Sequence, residues 1–302
     1  MPSSPKPPRL DPAGLGELRA EVLAWFAVAR RDLPWRRTRD PYRILVAEVL
    51  AQQTQAARAA AAWPEFLAAF PTVEALAAAS PAAVLRAWQS LGYNRRALAL
   101  RAAAQAVVDR GGWPETVAGL ASLPGVGPYT ARAVACFALG LEVAPVDTNV
   151  ARVLARAVAG SDPSGLGPAA RQRLADAALP AGRAWEWTSA LMDLGATHCR
   201  PKPRCDGCPL AARCRWKALG PAAAPPRPRP TAPFATSERR WRGAVVRALA
   251  AAPAGLDQAA LAAEVDAGAA GRPPGWFAGL LARLEAEGLV ARLGDGRLCL
   301  PG

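Results

Sequence analysis

The chain has 302 residues and a mass of 31.5 kDa, a length that allows two or three compact domains. Apolar residues make up 52% of it, but no stretch of about 18 of them runs without a polar residue, which excludes a membrane span. Lys and Arg number 37 against 24 Asp and Glu, a formal charge of +13. This charge favours a polyanionic partner, with nucleic acid first.

Two residue types are scarce. His198 is the only histidine, which excludes Ser-His-Asp triads and metal sites with several histidines, so carboxylates must carry any proton chemistry. Lysine occurs only at Lys6, Lys202 and Lys217. The first ten residues contain no apolar leader, so we expect a cytoplasmic protein, and in that reducing compartment six cysteines suggest a metal before disulfides.

Residues 13–219, after a flexible N-terminus at 1–12, are predicted to form an all-α core. Apolar residues recur at three- and four-residue spacing, and Pro, Gly and Asp separate the segments. Three helices are predicted to begin where a capping residue precedes a proline. These starts are Asp40-Pro41, Ser80-Pro81 and Gly127-Pro128.

Glu48 lies in a helical segment that is apolar on every side, so its carboxyl must face the interior or the floor of a cleft. Burial favours the protonated form of a carboxyl group, which makes Glu48 a candidate general acid near neutral pH. The alternative is a structural ion pair with Arg31, Arg36 or another arginine.

Residues 123–131 (LPGVGPYTA) are predicted to form a tight turn between two helices, a helix-hairpin-helix motif. Gly125 and Gly127, on either side of Val126, can adopt positive φ and leave their N–H groups uncovered at the start of the next helix. This geometry binds a phosphate group. A simple connection between helices is the alternative.

Asp147 precedes a predicted helix at 149–158 and is placed to cap it. The helix dipole keeps a carboxylate at this position ionised, so Asp147 is the natural anionic partner of a neutral Glu48. Cleavage of a glycosidic bond requires one carboxyl group that donates a proton and one that stabilises an oxocarbenium-like transition state.

Four cysteines follow within 16 residues, in HCRPKPRCDGCPLAARC. Four thiolates at this spacing bind either a tetrahedral zinc ion or a [4Fe–4S] cluster, with the cluster favoured. Three cations between the first two cysteines alternate with prolines, and such a stiff loop suits phosphate contact rather than simple solvation. The cysteines are Cys199, Cys205, Cys208 and Cys214, and the cations are Arg200, Lys202 and Arg204.

Residues 220–236 are Pro-rich and are predicted to form an extended linker. Residues 237–302 then contain three helical patterns and two short apolar runs around Gly294-Asp295-Gly296, a hairpin signal. This order resembles a winged-helix module; a small helical appendage is the alternative. The predicted helices are 239–251, 258–265 and 276–287, and the predicted strands are 289–293 and 297–301.

Segments of the core, in their order and intervals, resemble the helix-hairpin-helix DNA glycosylases, and in detail the MutY-type A/G-specific adenine glycosylases. They are LPWR (33–36), DPY (40–42), AEVLAQQT (47–54), LGY (91–93), LPGVGPYTARA (123–133), VDTNV (146–150), LMDLG (191–195) and the cysteine cluster. The resemblance implies a mainly all-α, two-lobed core with a six-helix barrel, a lobe that carries a [4Fe–4S] cluster, and a flipped base between them.

The resemblance also implies catalytic roles. Glu48 would protonate the adenine base, and Asp147 would stabilise the sugar cation or form a covalent intermediate. Tyr129 and Asn149 would support Asp147 and a water molecule. Relatives of the endonuclease III type carry a lysine at the position of Tyr129. Because residues 7–201 contain no lysine, we expect a monofunctional glycosylase that leaves an abasic site.

Four more residues take DNA-contacting roles from the resemblance. Gln53, with Gln52 beside it, would enter the base stack, and Arg31 and Trp35 would line the adenine pocket. In this family the customary C-terminal domain reads 8-oxoguanine. Here the winged-helix-like segment stands in its place, which leaves the strength of the preference for 8-oxoguanine over guanine open.

We therefore expect a monomeric base-excision repair enzyme that removes adenine opposite 8-oxoguanine or guanine from double-stranded DNA. One alternative is a T·G or U·G mismatch glycosylase of the same superfamily, against which Gln52-Gln53 argues. The other is a non-enzymatic DNA-binding iron–sulfur protein, against which Glu48 and Asp147 argue, since buried carboxyl groups are costly.

Overall fold

The computed structural model describes residues 12–89, 91–220 and 237–302. The predicted N-terminal segment and Pro-rich linker lie outside these ranges, apart from Pro12 and Gly220. The described residues are mainly helical, which confirms the predicted fold class, and they include no helix long and apolar enough to cross a membrane. The helices are α1 (Pro12–Ala29), α2 (Pro41–Ala51), α3 (Ala56–Ala69), α4 (Val73–Ala78), α5 (Pro81–Ala87), α6 (Arg95–Asp109), α7 (Val117–Ala121), α8 (Pro128–Phe137), α9 (Thr148–Leu154), α10 (Pro168–Ala178), α11 (Ala184–Thr197), α12 (Arg215–Ala218), α13 (Glu238–Ala251), α14 (Gln258–Glu264) and α15 (Trp276–Ala286).

The three predicted helix starts are confirmed. Asp40 Oδ1 accepts a hydrogen bond from the backbone N–H of Tyr42 at 2.8 Å, which caps α2. Ser80 Oγ accepts from the N–H of Ala83 at 3.2 Å and caps α5. Gly127 precedes Pro128 as the N-cap of α8. In each case the proline occupies the first turn, where a helix has no use for its missing N–H.

The described chain divides into two compact units. The first comprises residues 12–44, 115–121 and 127–220, and the second comprises 45–89, 91–114, 122–126 and 237–302. In the first unit α11 packs against both α1 and α9 around an apolar core. Cys199, Cys208 and Cys214 pack against this core, so the cysteine loop is anchored to the helices that carry Asp147.

In the second unit α6 packs against α4 and α5 around the buried indole of Trp88, which meets Phe66 edge to face. The C-terminal segment belongs to the same unit. Its α13 packs on α5, and the backbone N–H of Ala82 donates to Pro301 O at 2.9 Å. The predicted boundary of a separate C-terminal domain at 237 stays a prediction.

The C-terminal segment has the predicted order of three helices and a hairpin. Its strands, β1 (Ala291–Arg292) and β2 (Leu298–Cys299), pair in antiparallel fashion, with Ala291 opposite Cys299. They are shorter than predicted: Leu289, Val290 and Leu300 are buried but lie outside the paired strands. Cys136 and Cys299 are both buried, as predicted.

Candidate active site

Asp147 is the N-cap of α9, in the first unit. Its Oδ1 accepts a hydrogen bond from the backbone N–H of Val150 at 2.7 Å, and its Oδ2 accepts one from Asn149 Nδ2 at 2.8 Å. The predicted capping role and the predicted support by Asn149 are therefore present as contacts. Both oxygens of a half-buried carboxylate are held in place.

Burial raises the pKa of Asp147, although the hydrogen bonds from Val150 and Asn149 and the charge of Arg152 act to lower it. The sequence argument considered only the helix dipole, which lowers the pKa of a capping carboxyl group. The structure adds the desolvation by surrounding protein, which is the larger effect. Ionised Asp147 is thus a more basic carboxylate than one in water.

Arg152 fixes Asn149 from the other side. Its Nη2 donates to Asn149 Oδ1 at 2.6 Å and to Gly195 O at 2.9 Å, and its Nε donates to Cys199 O at 2.5 Å. One guanidinium group therefore joins the capping network of Asp147 to α11 and to the start of the cysteine loop. Our sequence analysis missed Arg152; its place five residues after a candidate carboxylate was the available signal.

Gly195 allows α11 to approach α9 closely. A Cβ atom built on Gly195 would lie 2.5 Å from Asn149 Cβ and 2.9 Å from Asn149 Cα. Real side chains do not approach so closely, so any larger residue here must displace Asn149. The LMDLG segment contained this glycine, but the sequence alone did not indicate its contact.

Glu48 lies on α2 in the second unit. It is 9% exposed and its neighbours on the helix from Ile44 to Leu50 are all buried, so the predicted burial of this residue agrees with the structure. Tyr129 is the second residue of α8, in the first unit, and is half-buried. The roles of both residues in catalysis stay predictions.

Arg31 and Arg36 both bind Asp193, whose side chain is fully buried on α11. Arg31 Nε donates to Asp193 Oδ1 at 2.5 Å, and Arg36 Nη1 donates to Oδ2 at 2.7 Å. Arg31, predicted to line the adenine pocket, therefore has a structural contact. Trp35 is half-buried and lies in the 3₁₀ turn Pro34–Arg37. That Arg31 and Trp35 line a base pocket stays a prediction.

Gln52 and Gln53 form the turn after α2, and Gln53 has φ = +53°, a left-handed conformation that few residues other than glycine adopt. Arg96 holds this turn, since its Nη1 donates to Val49 O at 2.8 Å and also to Gln52 O. Exposed Gln53 is therefore presented by a strained backbone that the half-buried guanidinium group of Arg96 stabilises. Sequence reasoning missed Arg96.

The helix-hairpin-helix turn agrees with prediction at one glycine and differs at the other. Gly125 has φ = +73°, and a Cβ atom there would lie 2.6 Å from Ala99 Cβ, so the position requires glycine. Gly127 has φ = −81° and an extended backbone, so its predicted positive φ is wrong. Gly127 is the N-cap of α8, and an N-cap residue has an extended rather than a helical backbone conformation.

A groove of about 1110 Å³ in the second unit collects several predicted DNA-contacting residues. Gln52, Gln53, Gly125 and Val126 all line it. The structure therefore brings together the base-stack candidates and the first half of the hairpin, which are separated by about 70 residues in the chain.

The four cysteines line one small cavity of about 30 Å³. Arg156, 3% exposed, also lines it; its Nη1 lies 3.8 Å from Cys199 Sγ, and its buried Nε has no partner in the described residues. Four thiols with an orphaned cationic donor beside them fit the donor set of an anionic iron–sulfur cluster. Among the described residues, no group of three or more His, Cys, Asp or Glu side chains is placed so that it could hold a single metal ion.

Burial raises the pKa of Cys199 and Cys214 and raises that of Cys208 to about 11. The loop between the first two cysteines is fixed by Arg156, which donates to Arg200 O at 2.7 Å and to Pro201 O at 3.1 Å. The predicted phosphate-contacting cations on this loop are all exposed to solvent. They are Arg200, Lys202 and Arg204.

Comparisons with known proteins agree with this geometry. Residues 46–165 match the HhH-GPD superfamily of base excision DNA repair proteins. The adenine DNA glycosylase of Mycobacterium tuberculosis is 41% identical over 99% of this chain and 97% of its own length. The thymine/uracil-DNA glycosylase of Methanothermobacter thermautotrophicus is 34% identical over 65% of this chain and 90% of its own.

A solved structure of a thermostable thymine-DNA glycosylase superposes with a TM-score of 0.64 and 31% identity, covering 69% of this chain and 98% of that one. The chain therefore belongs to the HhH-GPD superfamily of base excision DNA repair proteins and, within it, to the adenine DNA glycosylase family.

Proposed function

We propose that this chain is a monofunctional DNA glycosylase that hydrolyses the N-glycosidic bond of adenine mispaired with 8-oxoguanine or guanine. The observation that carries the proposal is the fixed carboxylate of Asp147, held by Val150 and Asn149 and made more basic by burial. Full-length similarity to adenine DNA glycosylases supports the choice of base.

In the proposed reaction Glu48 donates its proton to the adenine base, which then departs with the electron pair of the bond. Positive charge develops on the sugar, and Asp147 stabilises it electrostatically or bonds to the anomeric carbon. A water molecule then adds to that carbon, displacing the Asp147 carboxylate with its bonding electron pair where that bond has formed. The water loses a proton, which regenerates the acid form of Glu48 by way of solvent. Free adenine and an abasic site are the products.

Strand cleavage by a Schiff base is not part of this proposal. That chemistry needs a nucleophilic amine, and residues 7–201 contain no lysine. By the family resemblance, Tyr129 stands where endonuclease III-like relatives carry one, and the hydroxyl of this half-buried residue is proposed to support Asp147 and the attacking water.

Duplex DNA is the proposed partner. Gln53, with Gln52 beside it, is proposed to enter the base stack when adenine is flipped out. The hairpin N–H groups of Gly125, Val126 and Gly127 are proposed to bind one phosphate. The exposed cations of the cysteine loop are proposed to bind others.

Cys199, Cys205, Cys208 and Cys214 are the proposed ligands of a [4Fe–4S] cluster, which would cross-link a loop that has no regular structure of its own. Arg156 would hold the loop against α9 and place an N–H toward the cluster sulfur atoms. The six free cysteines suit a reducing compartment, so the cytoplasm is the proposed location. We propose a monomer, which size-exclusion chromatography coupled to light scattering would test.

Single-turnover base release tests the proposed activity. The purified protein is incubated with otherwise identical duplexes carrying A·8-oxoG, A·G, T·G and U·G, and the products are resolved with and without alkali. Strand breaks on the adenine strand that appear only after alkali support a monofunctional adenine glycosylase.

Two other results would contradict the proposal. Release of thymine or uracil would identify the mismatch glycosylase activity that the 34% identical relative has by name. Tight binding of all four duplexes without release of any base would identify a non-enzymatic DNA-binding protein. The ratio of rates for A·8-oxoG and A·G measures the lesion preference.

A further inference from the structure

The groove that holds Gln53 is also lined by the C-terminal segment. Four arginines of α13 line it. At about 100° of rotation per residue they lie within about 160° of the helix circumference, so they share one side of α13. They are Arg239, Arg240, Arg242 and Arg247. The face of α13 that points away from its own buried Trp241 and Val245 is therefore a wall of the same groove.

The lining of this groove is positively charged. Arg58, Arg95 and Arg96 line it together with the four arginines of α13, and no Asp or Glu is among the described residues that line it. Glu287 lies outside the wall, pairs with Arg242 and is 3.9 Å from Arg95, so it offsets part of this charge. The other guanidinium groups repel one another unless an anion is present. Such a groove has the electrostatic character of a site for a polyanion.

The cations of the C-terminal segment differ in their pairing. Three cations outside the groove pair within the segment: Arg283 binds Glu238 at 3.0 Å, Arg292 binds Glu285 at 2.8 Å, and Arg297 binds Asp295 at 2.7 Å. In the groove, Arg242 pairs with Glu287. Within the described residues, Arg239 and Arg247 have no carboxylate within 4.0 Å. Arg239 and Arg247 are thus groove cations whose charge no neighbouring carboxylate of the described residues offsets.

Arg239 also contacts Tyr93, which lies two residues before α6. Its Nη1 donates to Tyr93 Oη at 2.8 Å, and Arg96 lies 5.3 Å from the centre of the same ring. Tyr93 itself is 41% exposed and has φ = +50°. α13 therefore helps to hold an exposed aromatic side chain in the groove, in addition to supplying charge.

We infer that α13 is part of the DNA-binding surface, and that Arg239 and Arg247 contact phosphate groups of the duplex from which Gln53 displaces a base. Guanidinium groups bind phosphates through paired N–H donors, and their charge is only partly screened in a groove. The inference rests on the proposed function, because it assigns the groove to the same duplex. It gives the C-terminal segment a binding role through its first helix.

The test compares two double variants of the full-length protein that remove equal charge from the same segment. Arg239→Ala/Arg247→Ala removes the two groove cations, and Arg292→Ala/Arg297→Ala removes two paired cations outside it. The dissociation constant for an undamaged duplex is measured by fluorescence anisotropy from about 50 to about 200 mM salt, the range in which counterion release dominates binding.

For the groove variant, the slope of log K against log salt is expected to be shallower by about 2, since each phosphate contact contributes about 0.9 to the slope. Its affinity at low salt should fall at least about tenfold, which corresponds to about 1.4 kcal/mol. The control should match the wild type. Arg239→Lys/Arg247→Lys, which keeps both charges, should restore the slope.

Equal behaviour of the groove and control variants would overturn the inference, whether both bind like the wild type or both bind more weakly. Base release by the wild type is measured alongside, so that a wild type without DNA affinity or excision is recognised as failure of the proposed function. If the alanine variant melts below the wild type, Arg247→Glu replaces it, since Arg247 is exposed and its loss breaks no contact in the described residues. That variant must weaken binding more than Arg292→Glu does, or the inference is wrong.

Discussion

Asn149 and Asp147 form a pair whose geometry is fixed from both sides. Asn149 donates from Nδ2 to Asp147 Oδ2 at 2.8 Å, while its Oδ1 accepts from Arg152 at 2.6 Å. A flipped amide would place an oxygen against a carboxylate and an N–H₂ group against a guanidinium, so only one orientation is compatible with both neighbours. The position of the carboxylate thus depends on Asn149 and, through it, on Arg152.

Asp147→Asn should abolish excision while leaving folding and DNA affinity close to those of the wild type. An amide still accepts a hydrogen bond from the N–H of Val150, so α9 keeps its cap, but it cannot stabilise a positive sugar. Single-turnover excision of adenine should slow by at least about a hundredfold, the scale of losing one electrostatic stabiliser. Circular dichroism and duplex affinity are the controls, and an active Asn variant would remove Asp147 from the chemistry.

Asn149→Ala should move the acidic limb of the pH–rate profile to higher pH. The reaction needs ionised Asp147, so the rate falls as pH falls through its pKa, which burial already raises. The hydrogen bond from Asn149 lowers that pKa, and its removal raises the pKa further. Excision is measured under single-turnover conditions across pH. A slower variant with an unmoved acidic limb would show that Asn149 does not act through the ionisation of Asp147.

The sequence predicted local features of the site and missed the contacts that join them. The cap at Asp147, the buried Glu48 and the positive φ of Gly125 followed from residue type and neighbours. The contacts of Arg152 with Gly195 and Cys199 span 43 and 47 residues. No periodicity or spacing rule encodes such contacts, because they depend on how helices pack.

The dependence on helix packing and on neighbouring elements also explains where the sequence predictions for Gly127 and Asp147 differ from the structure. Gly127 is extended because it caps α8, a requirement of the following helix that competes with the turn. The pKa of Asp147 depends on desolvation by distant parts of the chain, whereas the helix dipole is visible locally. The basic groove brings α13 together with Gln53, and the sequence could not predict that proximity across about 190 residues.

Gly195→Ala should reduce excision more than it reduces stability. The new methyl group would overlap Asn149 Cβ and Cα, so α9 must shift and carry Asp147 with it. Overpacking of this kind costs about 1–3 kcal/mol of unfolding free energy, which the fold tolerates, but a displaced carboxylate loses its alignment. Excision rate and thermal melting are compared for the same preparation.

Gly16→Ala is the matched control for Gly195→Ala. Gly16 also lies within a helix of the first unit, and a Cβ atom there meets nothing within 4 Å. This substitution should leave the excision rate unchanged and raise the melting temperature slightly, because alanine favours helix more than glycine does. Equal excision by the two variants would show that close approach of α11 to Asn149 is not needed for activity.

Lys202→Ala/Arg204→Ala should weaken binding to every duplex by a similar factor and flatten its dependence on salt. Both side chains are exposed on the loop that Arg156 holds, and phosphate contacts carry no sequence information. The slope of log K against log salt should fall by about 2. Unchanged affinity would assign the loop to structure alone, and a loss confined to mispaired duplexes would contradict phosphate contact.

Asp193→Ala should destabilise the first unit strongly, and a matched surface variant should not. Asp193 is 0% exposed and binds Arg31 and Arg36, so its loss leaves two guanidinium groups without a carboxylate, one of them only 11% exposed. Breaking a buried ion pair by removing one partner costs about 3–5 kcal/mol. Asp32→Ala removes the partner of Arg37 from an exposed pair in the same segment, where water replaces the lost contact, so no measurable change is expected. Thermal and urea unfolding of both variants give the comparison, and similar melting of the two would show that Asp193 is not the anchor that holds the Pro34–Arg37 turn to α11.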